Sequence, residues 1–206
     1  MIKNYPTIQE AKIIWQNGID FRLSHSEFSN LNEYIFHTQG VASAAEKIAE
    51  KTMFLNPEKA YVCGLLHDYG KKYDEFKELK FHPQIGYEEF TDMRYFDVAR
   101  TCLSHSFPYK DFDNNDYKMY LPQWLNWAKD KLKNYQYDDY DRLIQLCDLF
   151  FEGMNMVSME DRFQGIARRY NLSPHNQSLQ KRAAIDNKMY FDKLCRQDIY
   201  EILGIV

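Results

Sequence analysis

No block of basic residues occurs in the 206-residue chain, where 26 Lys and Arg face 30 Asp and Glu for a formal net charge of −4. A nucleic-acid backbone or an anionic bilayer calls for clustered positive charge, so neither is expected as a partner. Long apolar runs are missing too. The opening stretch MIKNYPTIQEAKIIWQNG lacks the apolar core of about 7–15 residues found in a secretory signal, and no run reaches the roughly 18 residues of a membrane span. A cytoplasmic location is therefore expected. Cysteine is scarce and scattered: Cys63, Cys102, Cys147 and Cys195 include no close pair of the kind that holds structural zinc. The four are expected to be reduced and to serve as small hydrophobes on the core side of helices. Strand-like alternation is rare, and there is no internal repeat or low-complexity tract.

What remains is an ordinary globular balance with an unusual share of rings. Hydrophobic residues make up 45% and charged residues 27%, while 16 Tyr and 14 Phe mean that rings supply much of the packing area. The length suits one domain over 1–206, with a core at about 30–152 and a helical extension over 153–206 packed on it. Apolar spacing is helical throughout, and an all-α fold is expected. Thr7 and Glu10 form a capping box for a first helix that Asn17-Gly18 is expected to end. A second helix runs from about Leu31 to Lys51 and carries His37 on the side of Val41. Asn56-Pro57 starts a third that reaches His67, with Gly70 as its expected stop. Pro83 opens a short helix just after His82, and Phe96 to Ser104 forms another, halted by Phe107-Pro108. Residues 106–140 loosen into a ring-rich, charged stretch around one helix near Pro122 to Lys133, expected to be an inserted lid or surface excursion. Helical spacing returns at Leu143, Ile144, Cys147 and Asp148. Ser158 with Asp161 starts a helix that fades at Asn171, and a last helical region spans about Ser178 to Leu203.

The polar residues that interrupt buried faces or stand at helix ends are His37, His67, Asp68, His82, His105 and Asp148. They come from five segments, so only the folded chain can gather them. Neutral imidazole and carboxylate are ligand types for divalent transition metals, and a carboxylate can bridge two ions. Each residue has a plainer explanation when taken singly: a satisfied core histidine at 37, a helix-end pair at 67 and 68, a loop residue at 82, a dipole-favoured helix end at 105. Asp148 is the hardest to explain this way, because a carboxylate between Leu146, Cys147 and Leu149 is costly to desolvate without a cation. His25 and His175 fall outside the pattern and are expected at the surface.

The order His, His-Asp, His, His and a late Asp resembles the HD superfamily of metal-dependent phosphohydrolases over roughly Asn32 to Glu152. The resemblance implies a helical bundle in which His37, His67, Asp68 and Asp148 hold one ion, and His82 and His105 hold a second, with Asp68 as the bridge. The wording GLLHDYGKK, FHPQIGYEEF, ARTCLSHSFP and LIQLCDLF is similar to the small bacterial HD proteins that split diadenosine tetraphosphate symmetrically with iron. In that branch a lysine follows the doublet by three residues, as Lys71 does here. The stretch between His105 and Asp148 is longer than compact members need, and the helical region after Asn171 has no obvious match.

Two divalent ions about 3.5–4 Å apart can activate a hydroxide for in-line attack at phosphorus. The implied function is therefore hydrolysis of a nucleotide or dinucleoside polyphosphate ester or anhydride, with iron first and manganese, zinc, cobalt or nickel as alternatives. Asp68 and Lys71 are the catalytic candidates. Lys71 either meets the phosphoryl oxygens, with Gly70 letting the chain turn back over the site, or is an ordinary helix-end lysine in solvent. Arg94, Arg100, Lys110 and Arg142 are weaker phosphate candidates. The rings of Phe107, Tyr109, Phe112, Tyr117, Tyr120 and Trp124 either stack a base, cover the site or form packed loop. Two readings of other classes stay open: a di-iron oxygenase on the same ligands, or a non-catalytic ligand-binding module. A small phosphorylated molecule is the expected partner, and a homodimer is compatible with the sequence.

Overall fold

A computed structural model describes residues 4–25, 30–73, 80–117, 120–170 and 173–205. Among them are ten α-helices and one two-stranded ribbon, so the fold is all-α. The first helix, α1 (Ile8–His25), begins at the expected capping box: Thr7 N and Oγ1 both donate to Glu10 Oε2 at 2.8 Å. It does not end at Asn17-Gly18. The helix runs through, because Gly18 is needed for close packing and not for a stop: a Cβ there would stand 2.9 Å from the Tyr69 ring. Glycine inside a helix costs roughly 1 kcal/mol, the cost at which the Tyr69 ring is brought against the helix backbone.

The second helix, α2 (Leu31–Lys51), buries Tyr34, Thr38, Val41, Ala45 and Ile48 along one face. Trp15 Nε1 donates to Thr38 Oγ1 at 3.0 Å, tying α1 to it. The Asn56 side chain caps α3 (Pro57–Leu66) by accepting from Lys59 N at 3.2 Å, with Pro57 in the first turn. This helix stops at His67, before Gly70, and the chain continues in a 3-10 turn over Tyr69–Lys72. The next pair is α4 (His82–Asp92), which includes His82 in its first turn, and α5 (Phe96–Ser104).

The expected lid over 106–140 is instead a second small core. It holds a 3-10 turn at Asn114–Tyr117 and α6 (Pro122–Leu132), and it packs Phe81, Leu103, Phe107, Phe112, Trp124 and Leu125 together. Phe81 stacks on Trp124 with centroids 5.4 Å apart, and Phe107 on Phe112 at 4.8 Å. Each such ring contributes about 1.5–3 kcal/mol when withdrawn from water, so their mixture with charged residues hid a core from the helical pattern.

A capping box between Asp138 and Asp141 starts α7 (Asp139–Asp148). Buried Asp141 also accepts from Ser104 Oγ at 2.7 Å and pairs with Arg100, which anchors α7 to α5. The ribbon of β1 (Phe151–Glu152) and β2 (Asn155–Met156) leads into α8 (Met159–Tyr170), capped by Ser158 and Asp161. The expected end of α8 at Asn171 lies outside the described residues. The last region begins earlier than expected and is broken in two, as α9 (Pro174–Cys195) and α10 (Ile199–Leu203). Ser173 Oγ caps the first by accepting from Asn176 N at 3.1 Å. Arg196, at φ +53°, makes the break, after which Ile199 N donates to Asp192 Oδ1 at 2.8 Å. Phe191, Ile199 and Leu203 belong to the same core as Ile48 and Leu143.

All four cysteines are free; three are buried and Cys195 is half-buried. Burial pushes the Cys63 thiol up to about 12, so it is inert as a nucleophile. No described helix is long and apolar enough to cross a membrane.

Candidate metal centre

The six candidate residues meet at the place where α2, α3, α4, α5 and α7 converge. His37 lies inside α2, His67 caps the C-terminus of α3, Asp68 follows it, His82 opens α4, His105 caps α5 and Asp148 closes α7. Five of the six thus sit at helix ends, where an imidazole or carboxylate can turn inward without interrupting a buried apolar face.

Asp68 organises the cluster through its two oxygens. Oδ2 lies 3.6 Å from His37 Nε2 and 3.5 Å from His67 Nε2, and Oδ1 lies 3.6 Å from His82 Nε2 and 3.3 Å from His105 Nε2. Asp148 Oδ1 completes the first set, at 3.0 Å from His37 Nε2 and 3.9 Å from His67 Nε2. Within each set the imidazoles are close, with Nε2 atoms 3.2 Å apart for His37 and His67 and 3.3 Å apart for His82 and His105.

The hydrogen bonds behind the rings fix what these atoms offer. His67 Nδ1 donates to the Gly64 carbonyl at 2.7 Å and His105 Nδ1 to the Thr101 carbonyl at 3.1 Å. A carbonyl can only accept, so each neutral ring carries its proton at Nδ1 and turns a lone pair inward from Nε2. The His105 lone pair then faces Asp68 Oδ1, itself an acceptor. Asp68 is 2% exposed, and its Oδ1 has no hydrogen-bond partner among the described residues. Leaving a buried charged acceptor unsatisfied costs about 1–3 kcal/mol or more, and a cation between the acceptors removes that cost. The donor set therefore fits a divalent metal, and the groupings His37, His67, Asp148 and His67, Asp68, His105 each have ligand atoms close enough to share one ion.

Electrostatics points the same way. Burial lowers the pKa of His37, and the charges of Asp148 and Asp68 only partly offset it. Burial also takes His105 down to about 4, so this ring is neutral and ready to ligate at neutral pH. For His67, burial is outweighed by Asp68, which raises it. Burial works to raise both carboxylates, yet each is held below the usual range: Asp68 by Lys71 and His67, Asp148 by His37, His67 and Arg162. Both stay ionised.

Lys71 is 41% exposed, and its Nζ donates to Asp68 Oδ2 at 2.6 Å. The glycine before it serves approach more than turning: a Cβ on Gly70 would lie 2.1 Å from the His82 carbonyl oxygen, so its absence lets the Lys71 turn press against the start of α4. The weaker phosphate candidates are placed elsewhere. Arg100 pairs with Asp138 and Asp141, Arg142 Nε donates to Asn187 Oδ1 at 2.9 Å, Lys110 Nζ donates to the Tyr135 carbonyl at 2.5 Å, and Arg94 is exposed at φ +63°. His25 and His175 are exposed.

Two clefts flank the centre, of about 150 Å³ beside His82 and His105 and about 230 Å³ beside His37. Both are bordered by Lys71 and by Arg162, a residue that sequence reasoning missed; its Nη2 lies 3.9 Å from Asp148 Oδ1. Ser106 and Tyr34 were missed as well. Ser106 Oγ is 3.0 Å from His105 Nε2, and Tyr34 holds a buried hydroxyl without a hydrogen-bond partner among the described residues. Tyr34 stands one turn before His37 and Ser106 adjoins His105, which are signals in the chain. For Arg162 there is none, because its place depends on how α8 docks. Among the ring candidates, Tyr117 and Tyr120 border the smaller cleft, while Phe107, Phe112 and Trp124 are packed in the second core.

A family model described as HD domain matches residues 34–151. No curated protein and no solved structure matches the chain.

Proposed function

The chain belongs to the HD-domain family, whose members are in general metal-dependent phosphohydrolases, and on that premise we propose that it hydrolyses a nucleotide with two transition-metal ions. The observation that carries the reading is the division of Asp68 between two sets of imidazoles, with buried Oδ1 unsatisfied among the described residues. His37, His67, Asp68 and Asp148 would hold one ion, and His82, His105 and Asp68 the other. Iron leads, since imidazole with carboxylate suits it, and manganese, zinc, cobalt or nickel are the alternatives. When bound, the ions supply Lewis acidity toward a phosphoryl oxygen and acidify the attacking water.

The chain's own groups do the rest. Lys71, paired with Asp68 at the mouth of both clefts, is placed to meet the negative charge that develops on the phosphoryl oxygens. Backbone carbonyls at Gly64 and Thr101 hold His67 and His105 in the ligating tautomer. Ser106 Oγ, at 3.3 Å from His82 Nε2 and 3.0 Å from His105 Nε2, stands beside the second pair, where its hydroxyl would turn from those nitrogens toward a bound phosphate once they ligate.

Nucleotide and dinucleoside polyphosphate esters or anhydrides are the substrate class, and symmetrical dinucleoside tetraphosphate is the first compound to try. The test is turnover of anaerobically purified, metal-loaded protein against a panel of nucleoside phosphates and dinucleoside polyphosphates. Release of phosphate or mononucleotide at enzymatic rates is expected. Consumption of dioxygen with no hydrolysis of any panel member would replace this reading with an oxygenase on the same ligands.

A further inference from the structure

One wall of the smaller cleft comes from chain that the family model does not cover. α8 contributes Arg162, Phe163 and Ile166, and α9 contributes Gln180, Ala184 and Asn187. Its inner end is the centre itself, where His82, His105 and Asp148 reach the surface of the cleft. A substrate with its phosphorus at the centre has this space for the organic group it carries.

Apart from the charged and imidazole groups at the centre, Lys71, His82, His105, Asp148 and Arg162, the lining is of two kinds. Phe163, Ile166, Ala184 and Leu149 give apolar flanks, and the Tyr117 and Tyr120 rings stand 17° from parallel. Between the flanks lie three neutral amides, Gln145, Gln180 and Asn187. Two of them are held in a fixed sense. Gln145 Nε2 donates to the Ser104 carbonyl at 3.0 Å, and Asn187 Nδ2 donates to Gln145 Oε1 at 3.3 Å. Arg142 Nε donates to Asn187 Oδ1, with its guanidinium 3.8 Å from the centroid of the Tyr190 ring. Each amide nitrogen has a second N–H and each oxygen a second lone pair beyond these bonds. Oriented neutral donors and acceptors between apolar walls suit a flat heterocycle with a polar edge. A purely aliphatic chain would leave the amides unanswered, and the charged lining residues, Lys71, Arg162 and Asp148, belong to the centre where the phosphate would sit.

Volume sets the size. A cavity of about 150 Å³ takes one benzene-sized ring system in an apolar core, and the cleft has about that much room. The larger groove shares Lys71 and Arg162 with the smaller one but adds Arg22 and Glu33 in place of the three amides, and suits phosphate better than a second ring.

We infer that the cleft between α7, α8 and α9 is a nucleobase site, so that the substrate is a phosphate or polyphosphate ester of a nucleoside whose base edge is read by Asn187 and Gln145. The chemistry at phosphorus rests on the phosphohydrolase reading; the binding of the base does not.

The test uses the full chain, metal-free and metal-loaded, with adenosine, guanosine, cytidine and uridine 5′-monophosphates and ribose 5-phosphate as the ringless reference. Calorimetry gives affinities, and phosphate release gives kcat/KM. At least one nucleotide is expected to bind about 10-fold or more tighter than ribose 5-phosphate. Ala184→Phe, which fills the cleft, and Gln180→Leu, which removes an amide from its wall, are each expected to bring that ratio down toward one with metal content retained. Equal affinity for all five compounds in the wild type overturns the inference, as does an undiminished preference in either folded variant. If nothing on the panel is hydrolysed but the preference exists and the variants erase it, the hydrolase reading falls and the base site stands. If ribose 5-phosphate is hydrolysed as well as every nucleotide, the base site falls and the hydrolase reading stands.

Discussion

Lys71 separates two roles that a single side chain can play beside a metal site. Its ammonium pairs with Asp68 at 2.6 Å, yet 41% of the side chain remains in contact with solvent at the mouth of both clefts. A group that only neutralised Asp68 would be lost at the cost of the metal. A group that meets the substrate would be lost at the cost of the rate. Lys71→Ala is expected to lower kcat/KM by about 100-fold, the usual effect of removing one group that stabilises developing charge, while bound metal stays at the wild-type level by elemental analysis. Metal loss in that variant would assign the lysine to holding Asp68. At this scale the candidate ligands are legible because each sets a polar side chain on an apolar helical face or at the end of one. Asp148 between Leu146, Cys147 and Leu149 is the clearest case. Arg162 left no such mark, since an arginine near the start of a polar helix is unremarkable until the helix is docked against Asp148.

Elements explain where that legibility stopped. Helix starts written in capping residues, at Thr7, Asn56 and Ser158, stand where the sequence places them. Glycine misled twice in one direction. Sequence context makes Gly18 and Gly70 expected stops, but neither has a positive φ, and both serve close packing against another element. Spacing along one segment carries no information about which distant backbone will press against it. Gly70→Ala tests this directly, because a Cβ would stand 2.1 Å from the His82 carbonyl oxygen, an atom of the backbone that no rotamer change can move aside. Overpacking of this kind costs about 1–3 kcal/mol, which for a chain of this size lowers Tm by roughly 2–4 °C per kcal/mol. Thermal unfolding is expected to show that drop; an unchanged Tm would mean that the turn and α4 do not meet as closely as described. The ring-rich segment over 106–140 misled for the opposite reason. Its core is made of rings spaced irregularly through turns, so no period of 3.6 or 2 marks it.

At the scale of the whole molecule, the chain is acidic overall yet directs cations inward. Net charge is −4, while Arg22, Lys71 and Arg162 border the clefts at the centre. The field that an anionic substrate meets there is local, set by those side chains and by any bound ions, and not by the protein as a whole. All five helices that carry the six residues rest on one apolar core, which also takes in α9 and α10. The convergence of the ligands is therefore a property of the complete fold, and it is what the functional reading depends on. Elemental analysis of anaerobically purified chain, wild type beside Asp68→Ala, measures it. Close to two equivalents of transition metal per wild-type chain are expected, with most of that metal and all turnover lost in the folded variant. Equal metal in both proteins, or none in a wild type reconstituted with iron or manganese, would contradict the account.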